Sequence, residues 1–209
     1  MFRRRHHDGA PRRGTPSEWL IVGLANPGVE YRDTRHNLGA SVVEEFASRA
    51  GASLRVEPRL RARLAAVVID GHRVLVAVPT TYVNESGAAV VPLIRRSGLD
   101  DLARVVIVHD ELDFEPGRLQ LKTGGGLAGH NGLRSISGAL GDDGYSRLRI
   151  GVGKPPSKDR GADWVLSRPG RAVREVLDAA IIAGADARDD VVRHGLEDAS
   201  SRLNGARGA

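Results

Sequence analysis

His36 lies in the stretch GLANPGVEYRDTRHN, which runs from Gly23 to Asn37 between two apolar segments. An imidazole titrates near neutral pH and can accept a proton in catalysis when a second group fixes its tautomer. The same stretch carries Asn26, whose carboxamide can donate a hydrogen bond to an oxygen that gains negative charge. These residue types favour general-base chemistry; the simpler interpretation is that His36 is a surface or capping residue.

A candidate carboxylate for that histidine stands in HDELD, residues 109–113, directly after the apolar run Val105–Val108. Such a run is typical of a central strand buried on both faces. A carboxylate at the end of a buried strand is costly unless it has partners, so we interpret Asp110 as the group that orients a distant histidine. The alternatives are a solvated strand end and a metal site; no repeated ligand spacing supports the metal site.

Two further carboxamides and a glycine-rich loop are candidates for binding. Asn84 and Asn131 each lie close to glycine residues that are typical of turns. Turn formation alone explains many asparagines at such positions. The loop KTGGGLAGHNG, residues 122–132, places successive backbone amides after Lys122 and before a predicted helix. That arrangement can bind an anion; the alternative is a flexible loop.

Composition limits the classes of protein that the chain can belong to. Its 209 residues are 41% hydrophobic, enough for the core of one domain, and no cysteine is present, which excludes disulfides and thiolate chemistry. Residues 1–18 hold five of the arginines that give the chain a formal charge of +5, and they show no apolar periodicity. We expect a disordered Arg-rich tail over 1–18, a single domain over 19–209, and a cytoplasmic protein without a signal or membrane segment.

Apolar patterning predicts alternating strands and helices. The Asp70-Gly71 pair between two apolar runs predicts a hairpin. The pattern from 171 to about 203 is helical, with expected interruptions near Gly184 and Gly195. Together these elements predict an α/β single domain, with a mixed twisted central β-sheet flanked by helices.

The elements also predict where the chemistry lies. In sheets of this kind, ligands bind beyond the carboxyl ends of the strands. Unusual polar residues follow the predicted strands that end near Leu24, Pro79 and Val108. We therefore expect these three loops to converge on one site.

Five motifs in order carry a resemblance that spans about residues 19–204: IVGLANPGVEYRDTRHNLG, PTTYVNESG, VHDELDFEPG, KTGGGLAGHNGLRSI and RLRIGVGKP. The chain resembles the bacterial peptidyl-tRNA hydrolase family. The resemblance implies one α/β domain that cleaves the ester between a peptide and the terminal ribose of tRNA. It implies no metal or other cofactor, peptidyl-tRNA as the partner, no membrane, and a monomer.

The resemblance also assigns residues. The family's catalytic histidine matches His36, its supporting aspartate matches Asp110, and the asparagine of its NPG motif matches Asn26. The aromatic and amide residues that contact substrate, and the cations that meet tRNA phosphate, match Tyr31, Tyr82, Asn84, Asn131, Lys122 and Arg149.

Two positions in these motifs depart from the family pattern. Val83 stands where the family usually has Met, and Ala128 where its loop usually has Gly. A non-catalytic RNA-binding relative is one rival class, and retention of His36 and Asp110 argues against it. A nucleotide-dependent oxidoreductase is the other; Pro27 removes an amide from its phosphate loop, and the expected acidic residue is absent.

Overall fold

The computed structural model describes residues 16–205, apart from the side chain of Lys158. Its centre is a mixed sheet in the order β2-β3-β4-β1-β5-β7-β6. The strands are β1 (Trp19–Gly23), β2 (Arg55–Glu57), β3 (Ala62–Ile69), β4 (His72–Pro79), β5 (Val105–Glu111), β6 (Leu119–Thr123) and β7 (Ser146–Gly151). The helices are α1 (Leu38–Arg49), α2 (Gly87–Ser97), α3 (Asn131–Leu140), α4 (Gly161–Leu166), α5 (Arg171–His194) and α6 (Leu196–Gly205).

The sheet consists of four parallel strands and three strands added by antiparallel pairing, of which β2 pairs with β3. β4, β1, β5 and β7 run parallel, whereas β3 pairs antiparallel with β4, and β6 with β7. The predicted mixed sheet of one α/β domain is confirmed. The predicted hairpin is also present: Asp70 and Gly71 have φ of 48° and 87°, as a tight turn between β3 and β4 requires.

Helices cover both faces of the sheet. α1, α5 and α6 pack on one face around apolar side chains such as Val42, Phe46 and Leu177. α2 and α3 pack on the other face around Leu20, Leu93 and others. Burial on both sides explains why the central strands read as continuous apolar runs. Within the described residues, no helix has the length and apolarity needed to cross a membrane.

One helix differs from the expectation. α5 runs without interruption from Arg171 to His194, so the break predicted near Gly184 is wrong, whereas the break at Gly195 is confirmed. A Cβ at position 184 would lie 3.2 Å from the side chain of Val42 on α1. Gly184 therefore allows α5 to approach α1 closely, and that packing outweighs the modest helix penalty of a single glycine.

The residues directly before β1 are bonded to the domain. Residues 1–15, which hold most of the predicted Arg-rich tail, lie outside the described residues. The backbone N–H of Ser17 donates to Ser97 O at 2.8 Å, and that of Glu18 donates to Arg73 O at 2.7 Å. Ser17 and Glu18 are therefore hydrogen-bonded to the domain.

Arg188 is a charged residue in the core between α5 and α1. Its side chain is fully buried, its Nη2 donates to Val42 O at 2.7 Å, and its guanidinium lies 4.1 Å from the ring centre of Phe46. Among the described residues no carboxylate lies within ion-pair distance of it. Burial lowers the pKa of Arg188 to about 9, although the charge of Asp189 acts to raise it.

We expect Arg188→Met to leave the free energy of unfolding unchanged or higher, because the buried charge has no ion-pair partner. Arg188→Ala should lower it by about 2–4 kcal/mol, because the stem also fills space against Phe46. Urea titration followed by circular dichroism measures both. Equal losses in the two variants would show that the charge itself stabilises the fold.

Candidate active site

Two glycines bring the turn that carries His36 against the sheet. A Cβ on Gly39, in the first turn of α1, would collide with the carbonyl oxygen of Val108 on β5. A Cβ on Gly23, at the end of β1, would collide with Gly39 O. The backbones can touch only because both residues lack a side chain. This contact places His36, three residues before Gly39, beside the carboxyl end of β5, where Asp110 lies.

The predicted pair of His36 and Asp110 is formed. His36 Nδ1 lies 2.8 Å from Asp110 Oδ1, and the carboxylate side chain is only 2% exposed. Burial acts to lower the pKa of His36, but the charge and hydrogen bond of Asp110 outweigh it, so the pKa is raised. The ionised Asp110 accepts a hydrogen bond from the Nδ1–H of His36. Nε2 of His36 therefore carries no proton and is the basic nitrogen.

A second histidine, which no sequence pattern indicated, completes the surroundings of Asp110. His130 Nε2 lies 3.1 Å from the same oxygen, Asp110 Oδ1. His130 Nδ1 accepts the backbone N–H groups of Gly132 and Leu133, at 3.1 and 3.3 Å, and so caps α3. Because Nδ1 accepts these bonds, the proton must be on Nε2, which donates to Asp110. The helix terminus thereby fixes the tautomer.

The two imidazoles also explain the ionisation of Asp110. Burial acts to raise the pKa of this carboxyl, but the charges and hydrogen bonds of His36 and His130 outweigh burial. The pKa of Asp110 is therefore held well below its usual value. Asp110 remains a carboxylate inside the fold because two donors point at it.

His109 belongs to the HDELD segment, whose histidine and acidic residues suggest catalysis or metal binding. In the structure it has a packing role instead. Its Nδ1 donates to the main-chain oxygen of Asp110 at 2.8 Å, and its ring packs edge-on against His130 with centres 4.9 Å apart. Burial lowers the pKa of His109 to about 3, and the charge of His130 adds to this. His109 is therefore a neutral packing group.

Asn26 is oriented by two neighbours. Its backbone N–H and C=O are both bonded by the carboxamide of Asn37, at 2.9 and 3.0 Å. Its side-chain Oδ1 accepts the N–H of Val83 at 2.8 Å, so the Nδ2 donor is left for the cleft. No sequence pattern indicated Asn37 either, although it directly follows His36 in TRHN.

The three predicted loops converge on one cleft of about 460 Å³. It contains the three predicted catalytic residues, His36, Asp110 and Asn26, and the predicted binding residues Tyr82, Asn84 and Asn131. Tyr31 stands at its margin, edge-on to Tyr82 with ring centres 6.2 Å apart. The wall formed by α4 adds lining residues that no motif indicated: Gly161, Ala162, Val165 and Leu166.

The two predicted phosphate contacts lie outside this lining. Lys122 is exposed on β6 and its ammonium lies against Gly125, where a Cβ would collide with it. Arg149 is already bound within the fold: Nε and Nη2 donate to Glu111 Oε2 at 3.1 and 2.9 Å, and Nη1 donates to Gln120. The structure thus leaves Lys122 as the more accessible cation.

The departures from the family pattern have visible consequences. Ala128 adopts a left-handed conformation with φ of 48°, which costs an alanine about 1–2 kcal/mol. The loop that contains it is fastened by buried Arg147, whose Nη1 donates to Gly126 O at 2.8 Å. Val83 is 2% exposed, so its side chain is buried, and its backbone N–H donates to Asn26 Oδ1.

Three potential metal donors occur together here. Donor atoms of His36, Asp110 and His130 lie within 4.8 Å of one another. The α3 terminus, however, keeps the proton of His130 on Nε2, the nitrogen that a metal would need unprotonated. The arrangement favours proton transfer over metal ligation.

Neutral carboxamides and a basic histidine line a cleft whose described lining contains no serine, threonine or cysteine. This combination, at the carboxyl ends of an α/β sheet, is suited to general-base activation of a water molecule.

Comparison with known proteins identifies the family. A family profile described as peptidyl-tRNA hydrolase matches residues 20–209. The peptidyl-tRNA hydrolase of Mycolicibacterium vanbaalenii is 43% identical over 185 residues, covering 88% of this chain and 96% of that protein. That of Francisella tularensis subsp. novicida is 43% identical over 189 residues, covering 90% and 98%. The chain belongs to the peptidyl-tRNA hydrolase family.

Solved structures agree with this membership. The crystal structure of peptidyl-tRNA hydrolase from Acinetobacter baumannii superposes with a TM-score of 0.85 at 38% identity, covering 91% of this chain and 97% of that one. A complex of peptidyl-tRNA hydrolase with N-propanol gives a TM-score of 0.86 at 38% identity, covering 94% and 100%. The single-domain fold is therefore that of the family.

We expect His130→Phe to raise the pKa of His36 further. With one donor removed, the Asp110 carboxylate interacts more strongly with the imidazolium of His36. NMR titration of the His36 ring measures the change. The variant should also lose about 1 kcal/mol of stability, because the cap of α3 is gone.

His130→Asn is the matched control for that stability loss. Asparagine is a good helix cap but is too short to replace the bond to Asp110. It should keep most of the stability and still raise the pKa of His36. An unchanged His36 titration in both variants would contradict the role assigned to His130.

Proposed function

We propose that this chain hydrolyses the ester bond between a peptide, or an N-blocked amino acid, and the terminal ribose of tRNA, with His36 as general base. The observation that carries the proposal is the bond between His36 and buried Asp110 at the cleft. It supplies a histidine of fixed tautomer whose Nε2 is free to accept a proton. Membership of the peptidyl-tRNA hydrolase family supplies the substrate class.

The steps of the reaction follow from the protonation of His36, whose Nδ1 carries the proton and whose Nε2 is free. Nε2 of His36 accepts a proton from a water molecule, and the water oxygen attacks the ester carbonyl. Asp110 stabilises the imidazolium that forms. Return of the proton to the ribose oxygen releases the peptide acid and free tRNA. The base must be neutral before the attack, so activity should rise as the pH passes upward through the raised pKa of His36.

The carboxamides are suited to the peptide part of the substrate. Asn26 presents Nδ2 because Val83 occupies its Oδ1, and this donor can bind the carbonyl oxygen as it becomes negative. Asn84 and Asn131 are exposed and line the same cleft. Neutral amides can form hydrogen bonds with peptide N–H and C=O groups, but they stabilise a free ammonium group only weakly. This favours a blocked over a free amino terminus.

The RNA end is proposed to lie beyond the glycine-rich loop. Lys122 and the backbone amides of residues 124–129 can meet phosphate oxygens. Because Arg149 is paired with Glu111, its positive charge is partly neutralised and attracts RNA less strongly. The same ion pair joins β7 to β5. Tyr31 and Tyr82 offer aromatic faces at the cleft margin. One chain supplies all of these groups, so we propose a monomer acting in the cytoplasm, where peptidyl-tRNA forms.

We expect His36→Ala to lower hydrolysis of N-acetyl-aminoacyl-tRNA by about 10²–10⁴-fold without loss of fold, because the general base is removed. Release of free tRNA measures the rate, and circular dichroism measures the fold. His194→Ala, at an exposed histidine at the end of α5, is the control and should match the wild type. A folded His36→Ala variant of normal rate would exclude this base.

The same assay distinguishes the proposed hydrolase from a non-catalytic RNA-binding protein. A non-catalytic RNA-binding relative would bind tRNA and release no product in the wild type. The two bonds that hold Asp110 argue against that outcome, because a buried carboxylate between two histidines serves a proton acceptor rather than RNA.

We expect Lys122→Ala to weaken tRNA binding and to reduce the log–log salt slope by about 1, because one phosphate contact is lost. Arg95→Ala is the control: it removes an exposed cation at the far end of α2 and should leave the slope unchanged. Binding is measured over a series of salt concentrations with catalytically inactive His36→Ala. Arg149→Ala should instead destabilise the fold, because Glu111 is left buried and unpaired. An unchanged slope for Lys122→Ala would place the tRNA path elsewhere.

A further inference from the structure

Arg35, directly before His36 in the chain, is buried and reaches across to a different element. Its Nη1 donates to both oxygens of Ser167, the main-chain O at 3.2 Å and Oγ at 2.6 Å. The backbone N–H of Arg35 donates to Ser167 O as well, at 3.3 Å. The residue before the base is thus bonded three times to the residue that follows α4.

The guanidinium of Arg35 also stacks on α4 itself. It lies 3.9 Å from the ring centre of Trp164. Trp164 is held in turn: its Nε1 donates to Gly153 O at 2.9 Å, and its own carbonyl accepts Ser167 Oγ at 2.7 Å. Arg35, Trp164 and Ser167 therefore form one connected group, here called the Arg35 clamp.

No ordinary ion pair accounts for this arginine. No carboxylate lies within ion-pair distance of it in the part of the chain that the structure describes. Its Nε is buried without an acceptor, and burial lowers its pKa. A buried cation is costly, so an apolar side chain would fill the space at less expense. Only a fork of donors with a flat face can stack on Trp164 and bond Ser167 together.

The element held by the clamp forms one wall of the cleft. Val165 and Leu166 line it from α4. Leu166 is 39% exposed, and with Tyr82 it is one of two large apolar side chains that line the cleft and remain exposed. The clamp therefore joins the apolar wall to the short turn that carries His36.

We propose that Arg35 is a positioning residue that sets the Leu166 wall relative to His36, and that this wall receives the side chain of the amino acid esterified to tRNA. The second half rests on the proposed function. The base acts at the ester carbonyl, and that side chain branches from the adjacent carbon. It must therefore lie within a few bonds of His36, where an apolar wall favours leucine-like groups and gives glycine no contact.

The same seam supplies matched controls. Arg168 Nε donates to Arg32 O at 3.2 Å, and Arg174 pairs with Asp33 at 3.2 Å. Both bonds join the segment after α4 to the segment before Arg35, as the clamp does. Unlike buried Arg35, Arg168 is exposed and the side chain of Arg174 is 35% exposed, and neither bond involves a residue that lines the cleft. Loss of either should leave the wall in place.

The experiment compares N-acetyl-leucyl-tRNA with N-acetyl-glycyl-tRNA as substrates. The variants are Arg35→Gln, Trp164→Leu, their double mutant and Leu166→Ala; Arg168→Gln and Arg174→Gln are the controls. We expect each test variant to raise KM for the leucyl ester by about 3–10-fold, as expected for lost apolar contacts, with kcat within about twofold. The glycyl ester should be unaffected, and the double mutant should be no worse than the worse single variant. The controls should match the wild type.

Leu166→Ala keeps the test decisive if a clamp variant does not fold, because Leu166 is partly exposed. An unchanged ratio of leucyl to glycyl KM in Leu166→Ala overturns the wall assignment. A clamp variant that lowers kcat on both esters and moves the pH profile overturns the positioning role, because Arg35 would then act on His36 directly. A wild type that cleaves neither ester overturns the proposed function itself, which distinguishes that failure from the others.

Discussion

The structure depends on keeping the carboxylate of Asp110 ionised inside the protein. A buried carboxylate without partners would take up a proton and could then hold no histidine in a defined orientation. Two imidazoles prevent this by pointing at one oxygen, at 2.8 and 3.1 Å. The first, His36, is the proposed general base. The second, His130, has its own tautomer fixed by α3, so the backbone of a helix determines the charge of a side chain on β5.

Much of the fold serves this one requirement. The bare contact of Gly23 with Gly39 brings the turn before α1 against β1 and β5, and α3 begins where its first N–H groups can bond His130. The far edge of the sheet is closed independently of the site. Asn204 on α6 bonds both the N–H and the C=O of Leu121, so the edge strand β6 offers fewer free groups to another chain.

The sequence predicts the strands and helices and the pairing of His36 with Asp110, but not the other groups that hold this pair in place. Apolar runs and the Asp70-Gly71 turn indicate the sheet, and the polar loops after its parallel strands indicate the cleft. His130 and Asn37 were missed because each acts through backbone groups distant in space or through a tautomer, neither of which has a sequence period. The expected break at Gly184 failed for a related reason: local helix propensity was outweighed by packing against α1.

The cationic side chains that could bind RNA lie apart from the cleft in which the ester would be cleaved. The cations suited to RNA lie outside the cleft lining: Lys122 on an exposed strand, and Arg149 bound to Glu111. The lining offers carboxamides and apolar walls around His36 and His130. A strong cation beside His36 would oppose formation of the imidazolium on which the base depends. The proposed neutral imidazole base and the binding of a polyanion therefore require this separation. The glycine-rich loop spans it, with Lys122 at one end and His130 at the other.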